Sequence, residues 1–83
     1  MIIAGIMDIR DWLEIGIKDG ATHMLVVHDE EGVGDYPIYI MPSSDAQKRI
    51  DLLDGKNNQK VLEVYNLSMS IEDQLKQFRV WNI

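Results

Sequence analysis

The sequence predicts an α+β domain built from an N-terminal helix, a two-stranded antiparallel hairpin, and two or three short C-terminal helices. Three observations predict it. Two apolar runs, Met24-Leu25-Val26-Val27 and Ile38-Tyr39-Ile40-Met41, flank an acidic loop from Asp29 to Asp35 that carries glycines, which is the pattern of a hairpin. Ahead of it, Ile9, Trp12, Leu13 and Ile17 recur at helical spacing. Behind it, helix formers and capping residues dominate from Ser43 onward.

Each element follows from local chemistry. Asp8 can cap the first helix, Asp11 suits its positive end, and Gly20 supplies a stop. In the first strand Thr22, Met24 and Val26 share one face, while His23, Leu25 and Val27 share the other. In the second strand Ile38 and Ile40 oppose Tyr39 and Met41. Neither run alternates apolar with polar, so both faces of the hairpin must be covered. A lone hairpin is marginal in water, which leaves two solutions: edge-to-edge pairing in a dimer, or helices wrapping both faces.

Ser43 or Ser44 can cap a helix carrying Ala46, Ile50 and Leu53 that stops near Gly55. Asn57 or Asn58 can cap a second, with Val61, Leu62, Val64 and Tyr65 as its apolar face. Ser70 and Asp73 resemble a capping box opening a last helix, with Ile71, Leu75 and Phe78 inward. Met24, Met41 and Met69 are expected to fill gaps between hairpin and helices.

The 83 residues are expected to make a single domain, 1–83, in which the apolar residues 1–6 read as a disordered or dispensable extension. A chain this short buries only about 60% of its unfolded surface, so a partner or a second copy would add stability. With no cysteine there is neither disulfide nor thiolate metal site, which fits a cytoplasmic location. No segment has the length of a membrane span. Fourteen acidic against eight basic residues give a net charge of −6, which disfavours direct nucleic-acid or membrane binding and suits a basic partner surface.

The chemistry-bearing groups support binding better than catalysis. His23 and His28 stand near Asp29, Glu30 and Glu31, but positions five apart in a strand face opposite ways, so no metal site is expected. The loop's two glycines do not make a phosphate cradle, because its acids would repel phosphate. Lys48, Arg49, Lys56 and Lys60 interleave with Asp45, Asp51, Asp54 and Glu63, giving paired charges in place of a basic patch. The serines fall at helix caps, and so short a chain has little room for a water-excluding cleft, so no enzyme and no cofactor is expected.

The runs Asp11-Trp12-Leu13-Glu14, Gly20-Ala21-Thr22-His23-Met24, Tyr36-Pro37-Ile38-Tyr39-Ile40-Met41-Pro42 and Gly55-Lys56-Asn57-Asn58-Gln59-Lys60-Val61 are similar to small proteins of bacteriophage and bacterial genomes. The similarity continues in Glu63-Val64-Tyr65 and Gln74-Leu75 and closes on Arg79 and Trp81. The resemblance implies a phage or prophage accessory protein that binds a host component, and transfers no activity.

The expectation is therefore a non-catalytic interaction module, a homodimer or part of a complex, that occludes a host protein. Its contacts are Asp29, Glu30, Glu31, Asp35, Tyr36 and Trp81, acids for a basic surface and aromatics as interface anchors. Two other readings are a small-ligand binder with its pocket between subunits, and an acidic mimic of nucleic acid.

Overall fold

The computed structural model describes residues 8–32 and 34–83. The extension expected at residues 1–6 lies outside them. The chain runs α1 (Ile9–Lys18), β1 (His23–Asp29), β2 (Gly34–Ile40), α2 (Ala46–Leu53), β3 (Gln59–Asn66) and α3 (Ile71–Leu75).

Asp8 opens α1 with a reciprocal capping box, its side chain accepting from the Asp11 N–H and its N–H donating to the Asp11 side chain. Gly20 ends the helix at φ 83°, where its N–H reaches Ile17 O and that of Ala21 reaches Gly16 O. This pair of bonds is a Schellman motif.

The expected two-stranded hairpin is corrected to a three-stranded antiparallel sheet, in the order β2-β1-β3. The third strand is the segment read above as a second C-terminal helix. Asn57 and Asn58 are not caps; they take φ 54° and 62° in the turn before β3, a left-handed conformation that asparagine tolerates. Val61, Leu62, Val64 and Tyr65 mimic a helical spacing because β3 carries a bulge. Val27 pairs with Val61 and Val26 with Glu63, so Leu62 is the extra residue. The bulge lets Val61 and Val64, three apart, both join the core on one face, and the Asp54 side chain accepts the Val61 N–H at 3.0 Å.

β1 is thus central and covered on both faces. Leu25 and Val27 join Ile40, Val61 and Val64 against Ala46 and Ile50 of α2. Met24 and Val26 join Tyr65, Val80 and Leu13 on the face carrying α1 and α3. The β1 edge left open by a two-stranded hairpin is filled by β3, which removes the reason for edge-to-edge pairing there. Beyond β3, the Val64 N–H reaches Val80 O and the Asn82 N–H reaches Val64 O, laying Trp81 parallel to Val64. On the opposite flank β2 is the open edge among the described residues, blunted by Pro37, which has no N–H to offer.

Several expected placements change. The cap of α2 is Asp45, accepting from the Lys48 N–H, and not Ser43 or Ser44. Phe78 is fully exposed, because α3 ends at Leu75 and helical periodicity stops with it; Val80 takes the buried place. Met41 and Met69 are exposed, while Met24 is buried as expected. Ile17 is exposed, and Gly16 is the buried position of that turn, because the Tyr39 ring packs on it.

Gln74 ties the far end of the sheet together. It is fully buried, its Oε1 accepting from the Asn66 N–H and Asn82 Nδ2, its Nε2 donating to Asn66 O and Ser70 O. Every polar atom of that amide has a partner.

Candidate functional site

The hairpin tip is built from two chain segments. Its acids are not four equivalent charges. Asp29 turns inward, its Oδ1 accepting the Glu31 N–H at 2.9 Å, as short acidic side chains do in turns. Asp35 pairs with His28 across the β1–β2 ladder, Oδ1 to Nδ1 at 2.7 Å. Glu31 accepts from Asn58 Nδ2, and the Glu30 N–H donates to Asn58 O at 3.0 Å. Glu30 is exposed, and its carboxylate makes no side-chain hydrogen bond among the described residues.

The left-handed turn at Asn57 and Asn58 is therefore a buttress for the tip. It was not legible as such, because the segment following it reads as a helix. Register places Asp35, His28 and Lys60 in one row across the three strands. A cleft of about 330 Å³ opens there, lined by His28, Glu30, Gly55, Asn58, Gln59 and Lys60.

The structure brings Asp29, Glu30, Glu31 and Asp35 to this end, with Tyr36 one residue along β2, half-buried against the α2-side core. It does not bring Trp81 to them. Trp81 lies beyond β3, at the opposite flank of the sheet from β2, with β1 and β3 between it and Tyr36. It is 42% exposed.

The two histidines are on different faces, as their spacing requires. His28 shares the row with Asp35 and Lys60, whereas His23 pairs with Ile40 and Asn66 at the other end of β1. The Thr22 hydroxyl donates to Ile40 O at 3.1 Å, so it accepts from His23 Nδ1 at 2.9 Å. That fixes the proton on Nδ1 and leaves buried Nε2 as an acceptor with no partner among the described residues. Burial lowers the pKa of His23 below its ordinary value. Among the described residues no group of three or more His, Asp and Glu side chains converges as a metal site.

On the α1 face, burial pushes the Tyr65 hydroxyl up to about 12, helped by Glu63, to which it donates at 3.2 Å. Arg10 and Glu72 join α1 to α3 by a two-pronged ion pair, which raises the Arg10 pKa and lowers that of Glu72. Among the described residues no helix is long and apolar enough to cross a membrane.

Comparison with protein-family models, curated proteins and solved structures finds no match for this chain.

Proposed function

We propose that this chain is a non-catalytic interaction module whose hairpin tip docks on a basic surface of a partner protein. The supporting observation is that the tip's acids are held by the protein's own hydrogen bonds, Asp29 to the Glu31 N–H, Glu31 to Asn58 and Asp35 to His28. Glu30 is left presented to solvent at their centre. A surface ordered before binding loses less conformational entropy on docking. Tyr36 supplies the adjoining aromatic contact, and Trp81 belongs to a separate surface. The resemblance to phage-genome proteins makes a bacterial host protein, met in the cytoplasm and occluded by binding, the partner to seek.

Zero-length carbodiimide cross-linking in a bacterial lysate tests this, because it joins a carboxylate only to a lysine in contact with it. The expected result is cross-links from Glu30 and Glu31 to lysines of one partner, lost at high salt. Absence of cross-links, or cross-links spread evenly over all exposed carboxylates, contradicts the proposal.

A second reading rests on the cleft beside the tip, whose volume of about 330 Å³ is that of a small-ligand site. Glu30 and Lys60 on its walls would suit a zwitterion. A discrete mass adduct in native mass spectrometry, lost on Lys60→Ala, would favour it.

A further inference from the structure

The two longer helices expose complementary stripes. On α1, Asp11, Glu14, Ile15 and Lys18 follow an i, i+3, i+4, i+7 spacing and line a depression of about 300 Å³. On α2, its cap Asp45 with Lys48, Arg49 and Leu52 repeats that spacing along a depression of about 320 Å³. Each stripe carries an exposed apolar residue, Ile15 at 38% and Leu52 at 63%. The charges invert: two acids and a lysine on α1, two bases and an acid on α2. Glu14, Lys18, Lys48 and Arg49 make no side-chain hydrogen bond or ion pair among the described residues. The remaining two acids serve as helix-start groups at the stripe ends.

We infer that the α1 stripe of one copy docks on the α2 stripe of a second copy, head to tail. Antiparallel alignment of the helices sets Glu14 opposite Arg49 and Lys18 opposite Asp45, with Ile15 between these pairs along the Lys48 stem and Leu52 beyond them beside Asp11. A second copy is the occupant because both halves of the match stand on one chain. α1 and α2 cover opposite faces of the sheet, so each docked copy leaves a free stripe outward and the contact extends beyond a dimer. A single helix stripe falls short of the roughly 1,000 Å² of a stable interface, so association is weak and concentration-dependent. The net charge of −6 opposes it at long range, while screening beyond about 8 Å at physiological salt confines the attraction to the facing stripes.

Sedimentation equilibrium over a concentration series tests this on the full chain, with circular dichroism confirming that each variant is folded. The wild type should gain mass with concentration beyond that of a dimer. Glu14→Lys and Arg49→Glu should each weaken association about fivefold. Their equimolar mixture should recover it, because the introduced lysine then faces the introduced glutamate. A wild type monomeric at every concentration, variants that associate as the wild type does, or a mixture no better than either variant would each overturn the inference.

Discussion

The two ends of the sheet are held by opposite means. At one end Gln74 sits fully buried with its amide satisfied by Asn66, Ser70 and Asn82, clamping β3, α3 and the last strand-like segment. At the other, the Asp29 to Asp35 tip is held by exposed contacts to Asn58 and His28, each of which water can replace. Hydrogen bonds are present at both ends, but only the buried set leaves orphaned groups when broken. Stability and recognition can thus be separated: the Gln74 end specifies the fold, and the tip end is the one we propose for binding.

The largest effect is expected from Gln74→Ala. It leaves the part-buried Asn66 N–H without its acceptor, while the Asn66 C=O keeps only the Met69 N–H, and should cost about 2–3 kcal/mol, read by chemical denaturation. Next comes Gly16→Ala, whose added Cβ would stand 2.8 Å from Tyr39 Cε1. The Tyr39 hydroxyl donates to Trp12 O at 2.7 Å, so the ring cannot withdraw without losing that bond, and about 1–2 kcal/mol should be lost.

The His23 imidazole gives stability a pH dependence. The folded His23 binds its proton less tightly than the unfolded chain does, so the unfolded state takes up more protons as pH falls below the ordinary value of 6.5. Stability should therefore decline as pH falls from 6.5 toward the lowered folded pKa, and His23→Phe should flatten that part of the profile. The smallest effect is at the tip. Asn58→Gly keeps the left-handed turn and removes only the Glu31 contact, so stability should stay within about 0.5 kcal/mol while cross-linking from Glu31 falls.

What the residues disclose divides along the same lines. The Asp8 cap, the Gly20 stop and the two-faced β1 are local patterns, and each is legible because its cause lies within a few residues. The third strand is not, because its bulge is defined only against β1 and gives Val61, Leu62, Val64 and Tyr65 a helical spacing. The β-branched valines and the tyrosine are residues that suit a strand, but the helical spacing conceals it. The tip's acids are legible as a charged hairpin loop, but their buttress is not, since Asn58 lies 27 residues from Glu31. Residue type alone groups Trp81 with the tip, and only topology separates them.

The most direct test is the double charge reversal Glu30→Lys with Glu31→Lys, measured for thermal midpoint and for affinity capture of the partner, without cross-linker, in the same preparation. The account predicts an unchanged midpoint and lost capture. A fallen midpoint would show that the tip helps hold the fold, and capture retained at full strength would show that binding resides elsewhere; either result contradicts the separation of the two ends.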